Sequence, residues 1–324
     1  MGDWRPTAPL QNLRRRAEVL AAIRRFFAER DVLEVETPLL AAAPVTDVHL
    51  ESVSCTLDIA GDERTLFLQT SPEFAMKRLL AAGSGAIYQI GRAVRAGERG
   101  RKHNPEFTML EWYRPGFDHH RLMHEVDELM QRILGTPAAE KLSYRDAFLR
   151  HVGVDPHRAD AAELENVAKD AGLDGFDSFD RDDWLHLLGS HLVEPHLGKS
   201  ADGETRATLL YDYPASQAAL ARVDAAKDPA VAERFELYVD GVELANGFHE
   251  LDDAKEQRRR FEQDLEERRR RGLPDVPIDE RLLAALEAGL PACAGVALGV
   301  DRLVMLAADA RSIDEVWAFP IERA

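Results

Sequence analysis

Leu13, Ala17, Leu20, Ile23 and Phe27 recur at helical spacing, with Arg14, Arg15, Arg24 and Arg25 turned outward. That pattern predicts an amphipathic helix over residues of roughly 12 to 30, closed by Asp31. Val32, Leu33 and Val35 before Thr37-Pro38 read as a strand that stops at a proline, because proline cannot donate to a sheet ladder. Segment 50 to 70 alternates, with Leu57 and Ile59 before Gly61-Asp62 and Leu66 and Leu68 after it, which predicts an antiparallel hairpin. Glu73 to Ala82 reads as a helix ended by Gly83.

Ile87 to Ile90 and Phe107 to Tyr113 are both strand-like, and the stretch between them is rich in Gly, Arg and His, so a long hairpin with an exposed, charged loop is expected. From about 119 to 200 the pattern is mostly helical, including His120 to Leu134 and Ala161 to Ala171. Strand signals resume at Leu209 to Tyr211 and Phe235 to Val239, and a highly charged helix follows at about 253 to 271. Gly295 to Gly299 reads as a buried strand feeding a helix that starts near Asp301. No internal repeat or linker-like stretch divides the chain. The expectation is one α+β domain over residues 1 to 324, an antiparallel sheet flanked by helices with a helical insertion at about 119 to 205.

Composition narrows the function. The 324 residues carry 41 Lys+Arg against 58 Asp+Glu, a formal net charge of −17, so any phosphate-binding surface must be carved from a strongly acidic whole. Nucleic acid is not the default ligand. Cys55 and Cys293 are too few and too far apart for a disulfide framework or a metal knuckle, which suits a reducing cytoplasm. Neither a signal peptide nor a membrane-spanning apolar run is seen.

Several motifs fail on inspection. There is no glycine-rich phosphate loop and no dinucleotide fingerprint. His249-Glu250 begins like a zinc-protease motif, but Asp253 stands where the second histidine is required. His119, His120 and His124 read best as a solvated helix surface, with His119 and His120 facing apart. The runs Arg258 to Arg260 and Arg268 to Arg271 alternate with Glu262, Glu266 and Glu267, a salt-bridged helix face rather than a nucleic-acid patch.

Three segments place charges inside apolar strands, which is costly unless the charges meet a ligand, a metal or each other. The first joins Ser71-Pro72-Glu73 and Arg95 to the run His103 to Tyr113, where alternation puts Phe107, Met109, Glu111 and Tyr113 on one strand face. The second is Glu243-Leu244-Ala245-Asn246-Gly247-Phe248-His249-Glu250. The third is Gly299-Val300-Asp301-Arg302, an arginine at a helix start. Arginines make bidentate contacts to phosphate, clustered Glu with Asn suits magnesium, and spare carboxylates suit an ammonium ligand. Together they suggest ATP-Mg2+ chemistry on a cationic amino acid. Paired ions in a scaffold are the plainer alternative.

The order of these segments resembles the catalytic fold of class II aminoacyl-tRNA synthetases. The helix and the strand ending at Pro38 resemble their first motif, Arg95 and the Phe107 strand their second, and Gly299 to Arg302 their third. The wording of residues 103 to 113 and 243 to 251 is similar to the lysyl branch, and in particular to its short paralogues, over essentially the whole chain. Only about a dozen residues precede the first motif, so no anticodon-binding domain is expected.

The resemblance implies roles. Arg95 would hold the α-phosphate and Arg302 the γ-phosphate, both as catalytic groups. Ala96, Gly97, Glu98, Asn104, Phe107, Leu244 and Gly299 would line the ATP site, with Phe107 stacking on adenine. Glu243 and Glu250 would carry Mg2+. Ser71, Pro72 and Glu73 would face the backbone-like end of the amino acid, Glu111 and Tyr113 its distal ammonium, with Asn246 and Glu250 nearby. Lysyl enzymes tend to have glycine where Ala297 stands, and that extra methyl would reshape the pocket toward β-lysine. One departure stands out. The family often reads Arg-Asn-Glu where this chain has Arg95-Ala96-Gly97-Glu98, which displaces the glutamate expected at the adenine amine.

The implied activity is formation of an (R)-β-lysyl-adenylate and its transfer to the ε-amine of a lysine on elongation factor P. The acceptor would be that protein and not tRNA, and the enzyme a cytoplasmic homodimer. Two alternatives stay open: a minimal enzyme charging tRNA with lysine, and a non-catalytic paralogue that only binds an amino acid.

Overall fold

The structure is a computed structural model describing residues 4–176, 179–199 and 205–324. Positions 177, 178 and 200–204 of the expected insertion lie outside these residues. The chain divides into two compact units: Met1–Gly116, Leu251–Cys293 and Ala297–Ala324 form one, Phe117–Glu250 and Ala294–Val296 the other.

In the first unit the opening helix spans Leu10–Ala28 and buries Val19, Ile23, Phe26 and Phe27. Of the predicted stripe Ile23 and Phe27 are buried, Leu13 and Leu20 half-buried and Ala17 exposed, so the inward face is turned toward Val19 and Phe26. Each such side chain contributes about 1.5 to 3 kcal/mol by leaving water. Asp31 then takes a left-handed backbone, φ 53°. The short strand Leu33–Glu34 pairs in parallel with Ile87–Val94, which pairs antiparallel with Glu106–Pro115. Phe27 stacks on Tyr88, with ring centres 4.4 Å apart, and meets Trp112 edge-on at 5.3 Å. The helix therefore covers the Tyr88 and Trp112 side of this hairpin. The opposite side carries Phe107, Met109, Glu111 and Tyr113, paired with Ala93, Gly91, Gln89 and Ile87.

The expected hairpin at 50 to 70 forms from Ser54–Ile59 and Asp62–Leu68, turning through Ala60 and Gly61 at φ 57° and 90°. Helix Glu73–Ala81 packs on helix Glu280–Gly289. Helix Ala254–Arg270 is salt-bridged as expected, with Arg259 on Glu256 and Arg270 on Glu267 at 2.7 and 2.6 Å. Arg268 departs from that reading. It is buried, and it donates to the backbone carbonyls of Pro274 and Asp47.

In the second unit Val231–Val239 lies between Thr208–Pro214 and Val242–His249, antiparallel to both. Strand Glu140–Ser143 joins Thr208–Pro214 in parallel, so the insertion is not wholly helical. Its helices Tyr144–His151, Ala161–Asp170 and Arg181–Leu188 bury Phe148, Leu164, Trp184 and Leu185 against Leu210 and Tyr213. Helix His119–Leu134 starts at Asp118, whose carboxylate accepts from the Arg121 N–H at 2.8 Å, and ends at Gly135 with φ 71°. Strand Cys293–Gly299, of which only Ala294–Val296 are counted in this unit, feeds helix Val300–Ala307 of the first, as its glycine-rich pattern predicts.

Candidate active site

The first unit gathers the arginines and the apolar strand face. Arg95 follows strand Ile87–Val94, and its Nε donates to the Thr70 carbonyl at 3.3 Å. Its guanidinium carbon sits 5.1 Å from the centre of the Phe107 ring, and its Nη1 lies 3.5 Å from Glu98. Gly97 has φ 76°, the left-handed turn that carries Glu98 back toward Arg95 despite the displaced register. The loop closes through His103, whose Nε2 lies 2.5 Å from Arg302 Nη2, while Arg302 Nε donates to the Lys102 carbonyl at 3.3 Å. Burial and then the Arg302 cation hold the His103 ring below its ordinary pKa, so it stays neutral beside the arginine.

Glu111 is 2 % exposed, and its Oε1 accepts from the Tyr113 hydroxyl at 2.6 Å. A buried carboxylate with a fixed hydroxyl partner suits an ammonium group. Glu73 Oε1 accepts from Lys77 Nζ at 2.6 Å, so a lysine of its own helix already sits on the carboxylate expected to take a ligand amine. Ser71 Oγ accepts from the Glu73 N–H, and Pro72 precedes the helix. Asn104 is buried between backbone groups, donating to the Glu106 carbonyl at 2.6 Å and accepting from the Ile321 N–H at 3.1 Å. Ala96 N–H donates to the Glu51 carbonyl at 2.9 Å. Ala297 is half-buried in its strand, and Gly299 ends that strand one residue before helix Val300–Ala307.

The second unit holds the Glu243 to Glu250 segment. Leu237 pairs with Ala245 but Tyr238 pairs with Glu243, which leaves Leu244 unpaired as a bulge. Simple alternation would put Glu243 and Asn246 on opposite faces. The bulge puts both on the face of Tyr238, Glu236 and Arg234, and alternation from Phe248 brings Glu250 to the same side. Two hard oxygen donors and an amide on one face fit Mg2+. Leu244 is buried, and Glu250 is 2 % exposed. Asn246 Oδ1 accepts from Arg234 Nε at 3.1 Å, and Arg234 Nη2 lies 2.5 Å from Glu236, which also accepts from the Tyr238 hydroxyl at 2.6 Å. Gly247 belongs there for space, since an added Cβ would stand 2.4 Å from Phe235 Cζ.

A family model described as tRNA synthetases class II (D, K and N) matches residues 2–323. The chain belongs to the class II aminoacyl-tRNA synthetase family. It is an ATP-dependent ligase of that family. A protein of Klebsiella pneumoniae named elongation factor P (R)-β-lysine ligase is 55% identical over 99% of this chain and 98% of its own. Proteins of the same name from Edwardsiella ictaluri and Proteus mirabilis are 55% and 54% identical, each over 100% of this chain and 99% of theirs. Among the described residues, no helix is long and apolar enough to cross a membrane.

Within this class II fold, sequence reading missed Arg234 and Glu236. Their signal was a cluster of three charges, Glu233, Arg234 and Glu236, within an apolar strand. The reading of His119 is corrected: it is 4 % exposed and faces inward, because it occupies the same helical stripe as Leu122, Met123 and Val126. His120 and His124 are exposed as expected, but the His119 and His120 rings do not diverge, lying 4.1 Å apart.

Proposed function

We propose that the chain activates (R)-β-lysine as an adenylate and transfers the β-lysyl group to a lysine ε-amine of elongation factor P. Relatives bearing that name at 54 to 55% identity across the whole chain carry this reading. The Glu111 carboxylate with its Tyr113 partner supports a substrate with a distal ammonium.

In this reading the substrate carboxylate attacks the α-phosphorus of ATP and pyrophosphate leaves. The lysine ε-amine of the acceptor then attacks the adenylate carbonyl carbon, loses a proton, and AMP departs with the electrons of the broken bond. The protein need supply no nucleophile. Arg95 and Arg302 stabilise charge on the phosphates, Phe107 offers a face to adenine, and Ala96, Gly97, Glu98, Asn104, Leu244 and Gly299 shape the nucleotide site. Glu243 and Glu250 would hold Mg2+, which when bound neutralises phosphate charge. Ser71, Pro72, Glu73, Asn246, Glu250 and Ala297 complete amino-acid recognition, with Glu111 and Tyr113 on the ammonium.

The same reading makes residues 1 to 324 one catalytic domain, working in the cytoplasm on a protein rather than on tRNA. A homodimer is part of it. Thr37 and Pro38 of the first motif line an open groove of about 500 Å³ with Ala75, Arg78 and Ala285.

Mass spectrometry of elongation factor P incubated with this protein, ATP and either α- or β-lysine tests the proposal. A β-lysyl mass increment on one lysine is expected. Unmodified factor with both amino acids, alongside charged tRNA, would overturn it in favour of the tRNA enzyme.

A further inference from the structure

His119 opens helix His119–Leu134, Glu233 lies on strand Val231–Val239 and His249 ends strand Val242–His249. All three belong to the second unit. Arg234 pairs with Phe248, so Glu233 and His249 fall on the opposite side of the strands from Arg234 and Asn246. One ligand atom from each of the three side chains comes within 4.8 Å of the others, and His249 Nδ1 lies 2.8 Å from Glu233 Oε2.

His119 itself is 4 % exposed, and neither ring nitrogen has a hydrogen-bond partner among the described residues. A buried imidazole normally finds a partner, because an unmade hydrogen bond costs about 1 to 3 kcal/mol. Asp212 faces the same ring. Its Oδ1 lies 3.9 Å from His119 Nε2 and also lacks a hydrogen-bond partner, while its Oδ2 accepts from Lys227 at 2.7 Å.

We propose that His119, Glu233 and His249 form a binding site for a zinc-class transition cation, with a fourth position open to solvent or another donor. Two imidazole nitrogens and a carboxylate select zinc, cobalt or nickel over magnesium, which prefers oxygen donors alone. His249 must present Nδ1 unprotonated, so the ion replaces its contact with Glu233. The cation would clamp the start of the helix to two strands, one of which carries the segment leading into Glu250. The site does not rest on the proposed lysine chemistry, and its test uses neither ATP nor amino acid.

The test is Co2+ titration of the full-length, chelator-stripped protein in excess Mg2+, followed by visible absorption, with Zn2+ as competitor. One equivalent of Co2+ with a tetrahedral d–d band, displaced by Zn2+, is expected. His119→Phe and the near-isosteric Glu233→Gln should each weaken binding by at least the roughly 10- to 100-fold that even an outer partner of a metal site is worth. Circular dichroism confirms that each variant is folded, and Glu233→Gln decides the matter if His119→Phe does not fold. No saturable band in the parent protein overturns the site, as does unchanged affinity in the folded variants.

Discussion

The carboxylate of Asp301 accepts the backbone N–H of Thr108 at 2.7 Å, a side chain at a helix start bonded to the middle of a distant strand. Its other oxygen takes Arg16 Nη1 at 2.5 Å, and Arg16 Nη2 donates to the Thr108 hydroxyl at 2.6 Å. Asp301 is 1 % exposed. The residue immediately before Arg302 is thereby tied to the strand that carries Phe107 and Glu111.

Asp301→Ala strands Arg16 and frees the helix start. Removing one partner of a buried pair costs about 3 to 5 kcal/mol, and a misplacement of order 1 Å at a catalytic group costs roughly 100-fold in rate. Thermal unfolding should show the lower Tm, and ATP–pyrophosphate exchange well below that Tm should show the lower kcat. A normal exchange rate would mean that Arg302 does not depend on this tie.

Tyr113→Phe removes the 2.6 Å bond to Glu111 and little else of the ring. A hydrogen bond to a charged group is worth about 1.5 to 3 kcal/mol, so KM for the amino acid should rise roughly 10- to 100-fold. KM for ATP should hardly move. An equal rise in both constants would place Tyr113 outside the amino-acid site.

His103 gives a pH signature. Its pKa is lowered in the folded protein by burial and then by Arg302, so the unfolded chain takes up a proton near 6.5 that the folded chain resists. The stabilising contribution is therefore complete above 6.5 and is lost as pH falls through the folded value. Tm measured against pH should fall less steeply on the acid side in His103→Gln than in the parent. Other buried histidines titrate in both proteins and cancel in the difference. Parallel curves would rule out the Arg302 coupling.

Gly247→Ala tests the close approach of strand and ring. The new methyl would stand 2.4 Å from Phe235 Cζ and 2.9 Å from Val296 Cβ, so Phe235 must leave its place. Overpacking of this kind costs about 1 to 3 kcal/mol. A lowered denaturation midpoint in urea with an unchanged slope is the expected result.

Much of this was legible in the chain. The stripe from Leu13 to Phe27 gave its helix, the alternation around Gly61 gave its hairpin, and the apolar run to Gly299 gave strand and helix start. The pairing of Glu111 with Tyr113 also followed from alternation, because a regular strand keeps residues two apart on one face. Arg234 and Glu236 were passed over although charges interrupt an apolar strand there, because the sequence does not say whether such charges face one another or an exposed edge.

Local periodicity by itself determined the opening helix, the hairpin at Gly61 and the strand ending at Gly299, but not strand Glu140–Ser143 or helix Glu280–Gly289, and the charged motifs pointed to the family, since both are properties of neighbouring residues. Tertiary structure alone decided which charges meet. Glu243 shares a face with Asn246 only because Leu244 drops out of register against Leu237 and Tyr238, a choice made by the adjoining strand and invisible to counting. His119 meets Glu233 and His249 only because a helix start lands on two strands more than a hundred residues later, and no spacing within the helix encodes that contact.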